Sequence, residues 1–159
     1  VSIGEEDEEE SSGGSRRRKL TREMFLEETP DSRTRELWQR LLALAEEVGA
    51  RTVWRSAAVS IRLPDPGGSR QKLTLFVLTT AGYMYTGWLR RQLGKVSLDS
   101  NIAIEYVKAL AGMFEGVEPQ RKYPDSLTRA ITAAELEPKI EQVEALVRET
   151  VDKIMAEAE

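Results

Sequence analysis

Apolar and polar positions along the chain repeat with two different periods, and each period predicts a different kind of element. Across residues 37–48 the apolar positions are spaced three or four apart, which predicts an amphipathic helix between Asp31 and Gly49. Upstream of it, Thr21 is placed to cap a short helix that Pro30 closes. The chain is therefore predicted to enter its fold through two helices.

Residues 50–90 show the period of β-strands instead. Side chains alternate between apolar and polar over residues 53–63, and residues 72–79 are almost continuously apolar, as in a central strand covered on both faces. A third strand is predicted over residues 83–89. The connections between these segments are short and contain Pro and Gly, so the three strands are predicted to form an antiparallel meander.

Helical spacing returns in the C-terminal part of the chain. A helix is predicted from Asp99 to Gly116, residues 117–131 are predicted to be irregular, and a final amphipathic helix is predicted from Pro138 onwards. The order is thus two helices, three strands and two helices, and this segregation is typical of an α+β domain. We predict a three-stranded antiparallel sheet packed with about four helices, within a single domain of residues 21–159.

Residues 1–20 differ in composition from the rest of the chain. Residues 1–15 carry six acidic residues among Ser and Gly, and a basic run of three Arg and one Lys follows over residues 16–19. Such a segment cannot bury enough apolar surface to offset the entropy lost on ordering, so a disordered linker is predicted. Because the chain begins at Val1 in this tract, we expect an upstream N-terminal domain and a longer protein.

The chain contains neither Cys nor His. Disulfides, thiolate chemistry, a Ser-His-Asp triad and imidazole metal sites are therefore excluded within it. No apolar run is long enough to span a membrane and no signal sequence is recognisable, so cytoplasmic residence is expected. No residue pattern indicates a cofactor, and none is predicted.

The charges are distributed unevenly along the chain. Residues 51–95 hold eight basic residues and one acid, a net charge of +7, whereas residues 96–159 hold seven basic and thirteen acidic residues, a net charge of −6. The predicted sheet is therefore the basic part of an acidic protein. The candidate surface for an anionic partner comprises Trp54, Arg55, Arg62, Arg70, Lys72, Arg90 and Arg91.

Two arrangements of this surface are open. In a continuous first strand, Trp54 and Arg62 share the outward face of the sheet. Depending on the register, Lys72, Thr74 and Phe76 of the next strand join them. Aromatic rings that stack on bases, beside Arg and Lys that follow phosphates, are what single-stranded nucleic-acid binders use. In the alternative arrangement, helices cover Trp54 and Phe76, and the arginines pair with the acidic final helix.

Three interpretations of function follow from these features. The first is a non-catalytic interaction module that binds nucleic acid, another anionic partner or a protein. The second is a homo-oligomerisation domain, in which the exposed part of residues 37–48 or of the last helix pairs with a second copy in a homodimer. The third is a metal-dependent hydrolase or nuclease, since Asp125, Glu137 and Lys139 have the spacing of a magnesium-binding nuclease pattern, although here Glu137 begins a helix rather than lying on a strand.

From about Thr21 to the end, the order of features resembles an uncharacterised bacterial domain found at the C-terminus of longer chains. The features are FLEE near the start, TVW at 52–54 opening a strand, LTLFVLTTAGYMYTGWLRRQL at 73–93, a Tyr-Pro-Asp loop at 123–125 and a closing L-x-P helix. Such domains occur beside nuclease-like or defence-associated modules. The resemblance implies an accessory module in a nucleic-acid-handling protein, and it transfers no catalytic residue.

Overall fold

The structure is a computed structural model that describes residues 19–159. The predicted linker of residues 1–20 lies outside the described residues except for its last two positions. The helices are α1 Arg22–Glu27, α2 Ser32–Glu47, α3 Leu89–Lys95, α4 Asn101–Ala111, α5 Ala133–Leu136 and α6 Ile140–Ala158. The strands are β1 Arg51–Trp54, β2 Ala58–Pro64, β3 Lys72–Thr79, β4 Tyr83–Tyr85 and β5 Ile131–Thr132.

The first two helices begin where the sequence predicts. The Thr21 side chain caps α1, and the Asp31 carboxylate accepts a hydrogen bond from the Thr34 N–H over 2.8 Å at the start of α2. This bond lowers the pKa of Asp31. Just before α1, Leu20 is buried, and its N–H donates to the carbonyl of Arg55 over 3.1 Å. The packed domain therefore includes Leu20.

The five strands form one antiparallel sheet in the order β1-β2-β3-β4-β5, so the predicted α+β class and antiparallel meander are confirmed. The predicted number of three strands is wrong, because residues 55–57 form a turn that divides the first predicted strand into β1 and β2. The third predicted strand ends early, at Tyr85, and α3 follows it. β5 has two residues, which is too short for a recognisable alternation in the sequence.

The turn at residues 55–57 also reverses the predicted facing of Trp54. Directly opposite residues of neighbouring antiparallel strands share a face of the sheet, and Trp54 lies opposite Val59. The prediction that Trp54 shares the outward face with Arg62 is therefore wrong. We name the side that bears Trp54, Val59 and Phe76 the core face, and the side that bears Ser60 and Arg62 the open face.

Helices cover the core face. Trp38 of α2 is fully buried, and its indole N–H donates to the carbonyl of Thr79 over 2.9 Å. Phe25 of α1 packs edge-on against Trp54, with the ring centroids 5.5 Å apart. Phe76 is fully buried. Trp54 and Phe76 therefore belong to the core, as the alternative arrangement predicts.

Two ion pairs join α2 to α6. Arg40 donates to both carboxylate oxygens of Glu144 over 2.7 and 2.8 Å, and Arg148 donates to both oxygens of Glu47 over 2.6 and 3.0 Å. Glu144 is buried, so its charge depends on Arg40 for compensation. In the alternative arrangement, arginines of the predicted basic surface pair with the acidic final helix. The buried Glu144 of that helix pairs with Arg40 of α2, which is not part of that surface.

The C-terminal part contains the two predicted helices with shifted boundaries, and between them lie β5 and α5, which were not predicted. With α3 and α5, the described residues hold more than the predicted four helices, so that number is wrong. α4 ends at Ala111, before the predicted end at Gly116, and the residues between them form turns that place Phe114 in the core. Residues 117–131 are largely irregular, as predicted, with one isolated β-bridge. Pro138 lies in a turn of 3₁₀ helix immediately before α6. The predicted final helix is thus confirmed, with a tighter first turn.

Glu135 completes a capping box at the start of α5. Its N–H donates to the Thr132 hydroxyl over 3.2 Å, while its carboxylate accepts from the Thr132 N–H over 3.0 Å. Arg129 donates to both carboxylate oxygens over 2.9 and 2.7 Å. These interactions, above all the one with Arg129, lower the pKa of Glu135 to about 2.

We expect the substitution Glu135→Gln to remove a pH-dependent part of the stability. The folded-state pKa of about 2 lies below the ordinary value of 4.5, so the ionised carboxylate stabilises the fold above that value and the contribution disappears as the pH falls towards 2. Near neutral pH the free energy of unfolding should fall by roughly 0.5–1 kcal/mol. Urea unfolding over a pH series measures this, with Glu157→Gln at an exposed position as control. A deficit that does not change with pH would contradict the assignment.

Candidate functional site

A groove of about 260 Å³ crosses the open face of the sheet. Strands β2, β3 and β4 contribute side chains to it, and the turn between β1 and β2 and the start of α3 complete the lining. Its polar and aromatic lining residues include Arg55, Ser60, Arg62, Tyr85, Trp88 and Gln92.

The register of three neighbouring strands assembles the sheet part of the groove. Ser60 of β2 lies opposite Val77 of β3, which in turn lies opposite Tyr85 of β4, so the three side chains share the open face. A β-bulge next to Arg62 then shifts the pairing, so that Arg62 lies opposite Thr74. Arg62 is on the open face by alternation from Ser60, and the bulge brings the hydroxyl side chain of Thr74 onto the same face.

Helix α3 lies beside the part of β3 that the short β4 does not reach. β4 pairs with Val77 and Leu78, near the end of β3. Earlier in β3, the Thr74 N–H donates to the side-chain oxygen of Gln92 over 2.6 Å, and the Gln92 side-chain nitrogen donates to the Thr74 hydroxyl over 3.0 Å. These two hydrogen bonds hold α3 against the sheet, and with it Trp88 at the N-terminal cap of that helix.

Tyr85 and Trp88 form an aromatic pair in the groove. Their ring centroids lie 5.7 Å apart, with an angle of 51° between the ring planes. Trp88 is 36% exposed, whereas Tyr85 is half-buried. Burial raises the pKa of the Tyr85 phenol, and the positive charge of Arg55 acts in the opposite direction. The groove therefore combines an exposed ring, a second ring that supports it and a nearby guanidinium.

Most of the predicted basic surface lies on or beside the open face. Arg55 and Arg62 line the groove, and Lys72 shares the open face at the position opposite Pro64. Arg70, in the loop before β3, and Arg90 and Arg91, on α3, are exposed. Trp54, the last member of the predicted surface, lies on the core face instead.

Sequence reasoning missed the aromatic part of the groove. The sequence pattern places Tyr85 and Trp88 within the third predicted strand, residues 83–89, and it assigns no role to Gln92. The one local signal is Gly87, which interrupts the strand pattern just before Trp88. It is a position of close approach, because a Cβ added there would lie 3.1 Å from the Ser126 hydroxyl oxygen.

The residues of the predicted nuclease pattern have separate structural roles. Asp125 is buried, and its carboxylate accepts a hydrogen bond from the Arg90 N–H over 3.3 Å at the start of α3. Glu137 is paired with Arg33 of α2 over 2.7 Å. Within residues 19–159 no group of three or more acidic residues is arranged to hold a metal ion. The metal-dependent interpretation therefore gains no support from the geometry.

The apolar stripes of the two helices whose exposed parts are predicted to pair with a second copy are buried within the chain. Leu37 and Leu41 of α2 are buried, as are Val147 and Val151 of α6. Met155 of α6 is exposed. Homo-oligomerisation remains a prediction, and it would have to use a surface other than these stripes.

Comparison with known proteins gives no relative from which a function could be inferred, so any functional conclusion rests on the groove. No protein-family model, curated protein or solved structure matches the chain. The resemblance to a bacterial C-terminal domain, the upstream domain and cytoplasmic residence therefore remain predictions. Among the described helices, none has the length and apolar character needed to cross a membrane.

Proposed function

We propose that the domain is a non-catalytic module that binds single-stranded nucleic acid in the groove of the open face. The observation that carries this proposal is that Arg55 and Arg62 line the same open groove as the pair Tyr85 and Trp88. Guanidinium groups follow the phosphates of a strand, and aromatic rings stack on its bases. A groove that offers both can hold a strand with little dependence on its sequence.

The groove is small and open to solvent, so it suits part of a polymer whose remainder lies over the surface. Its volume of about 260 Å³ is close to the lower end of the range of roughly 300–1,000 Å³ for sites that enclose small molecules. A single base fits in such a space while the sugar-phosphate backbone continues over the surface. We assign the stacking role to Trp88, because it is the more exposed ring of the pair.

Positive charge extends beyond the groove and supports a path for the backbone. Lys72 lies on the same face as Arg62, and Arg90 and Arg91 are exposed on α3. Contacts with phosphates release counterions, so binding through these residues should weaken steeply as salt rises.

The paired substitution Arg55→Gln and Lys72→Gln tests the proposal. We expect it to weaken binding to an oligonucleotide and to reduce the slope of log affinity against log salt by about 1.4, since each lost phosphate contact on a single strand removes about 0.7. Fluorescence anisotropy with a labelled oligothymidylate over a salt series measures both quantities.

The matched control is Lys108→Gln with Lys139→Gln, which removes two exposed charges from the C-terminal half. The control should retain the original slope, because Lys108 lies on α4 and Lys139 in the turn before α6, so neither belongs to the groove or to the sheet that carries the open face. Equal losses in both variants would mean that only the net charge matters, and absence of binding by the unaltered chain at low salt would overturn the proposed function.

A further inference from the structure

We infer that the acidic segment of residues 5–10 docks in the groove of its own chain and competes there with nucleic acid. The inference rests on the proposed function, because it names the regulation of that same site. Binding of a strand would then require displacement of this segment, and the affinity of the chain would depend on how tightly the segment is held.

The chemistry of the segment complements that of the groove. Residues 5–10 read EEDEEE, six consecutive carboxylates, whereas residues 51–95 carry a net charge of +7. The guanidinium groups of Arg55 and Arg62 can bind a carboxylate with the same forked geometry that they offer to a phosphate. The segment can therefore occupy the phosphate-binding part of the groove.

The chain enters the packed domain next to the turn at residues 55–57, whose residues line one part of the groove. Leu20 is 3% exposed, and its N–H donates over 3.1 Å to the carbonyl of Arg55, which lines the groove. Glu10 precedes Leu20 by ten positions, and an extended chain of that length spans about 33–36 Å. The connection is thus long enough for the segment to reach the groove, at an effective concentration in the millimolar range.

The acidic segment resembles a nucleic-acid strand in its negative charge but not in its bases. It has carboxylates but no aromatic or base-like group, so on the arginines it would lie beside the ring of Trp88 without stacking on it. A nucleic-acid strand supplies phosphates and bases together and is expected to displace the segment. Because the competing interaction is electrostatic, it should be strongest at low ionic strength and largely screened at about 0.5 M salt.

The basic run of residues 16–19 is the other group of cations within reach of the acidic segment. If the segment paired with that run alone, the groove would stay open, yet neutralising the segment would still raise the affinity for nucleic acid. The experiment must therefore report on the groove itself as well as on affinity.

The affinity test compares the full chain with a variant in which residues 5–10 carry Gln and Asn in place of Glu and Asp. At about 50 mM salt the neutralised chain should bind a labelled oligothymidylate about fivefold or more tightly, and the two chains should converge at about 0.5 M. A control variant removes the same charge at exposed acids elsewhere and should gain less. The control positions are Glu115, Glu118, Glu141, Asp152, Glu157 and Glu159.

The groove test uses nuclear magnetic resonance without nucleic acid. At low salt the indole N–H resonance of Trp88, identified from its loss in Trp88→Phe, should differ between the two chains and converge at high salt. The indole of Trp38, buried on the core face, should be identical in both and serves as an internal reference.

Identical Trp88 resonances in the two chains would overturn the inference, even if the affinity rises. Nucleic-acid binding that is equally tight in both chains would also overturn it, while leaving the proposed function intact. If neither chain binds nucleic acid, the proposed function fails, and the Trp88 comparison still decides whether the segment occupies the groove.

Discussion

Replacing Trp38 with alanine is expected to lower the free energy of unfolding by about 3–5 kcal/mol. The side chain is fully buried between α2 and the core face, so its removal leaves a large cavity. The carbonyl of Thr79 would also lose the indole donor that lies 2.9 Å away. Total stabilities of domains are typically about 5–15 kcal/mol, so this loss would be visible in urea unfolding followed by circular dichroism.

Two further substitutions separate the loss of buried packing from the loss of the hydrogen bond and from the loss of a partly exposed tryptophan. Trp38→Phe keeps most of the buried volume but loses the hydrogen bond, and we expect a loss of about 1–2 kcal/mol. Trp88→Ala removes a tryptophan that is 36% exposed, and the change in stability should be smaller than for either variant of Trp38. An alanine variant of Trp38 as stable as the unaltered chain would contradict the docking of α2 on the sheet.

The second large effect is expected on binding. Trp88→Ala should weaken the affinity for single-stranded nucleic acid by about 5- to 150-fold, because removal of one stacked ring costs about 1–3 kcal/mol. The slope of affinity against salt should stay nearly constant, since no phosphate contact is lost. Anisotropy titrations at several salt concentrations distinguish this pattern from that of the variants that remove Arg55 and Lys72.

The control for Trp88 is Tyr123→Ala. Tyr123 is 53% exposed, more than Trp88, but it does not line the groove. Its removal should leave the affinity unchanged, and Trp88→Phe should retain most of the binding because a ring remains. A loss of equal size in the Tyr123 and Trp88 variants would mean that stacking is not confined to the groove.

The charge segregation has a structural counterpart. The sheet region is strongly basic, and its open face carries Arg62 and Lys72, whereas its core face is covered by helices. An anionic partner of the proposed kind would therefore meet the basic side of the sheet despite the net charge of −4 for the whole chain. This agreement between charge pattern and open face adds support to the function proposed for the groove.

Local sequence patterns were enough for the elements whose signals lie within a few residues. Thr21 and Asp31 mark the starts of α1 and α2, because a capping bond closes over three positions. The continuous apolar run of β3 predicted a central strand, and the basic character of the sheet region is a property of composition alone. These features depend on residues that are close together in the sequence, so the sequence alone is enough to predict them.

The composition of the groove, by contrast, depends on contacts between distant residues. A turn at residues 55–57 inverts the facing of Trp54, and a bulge beside Arg62 decides its partner across the sheet. A side chain changes face when the register moves by one position, so alternation could not predict which aromatic ring is exposed. Only the packing of α3 against β3, through Gln92, sets Trp88 beside the arginines of the open face. The basic sheet was thus predictable from the sequence, whereas the groove and its ring were decided by strand register and helix docking.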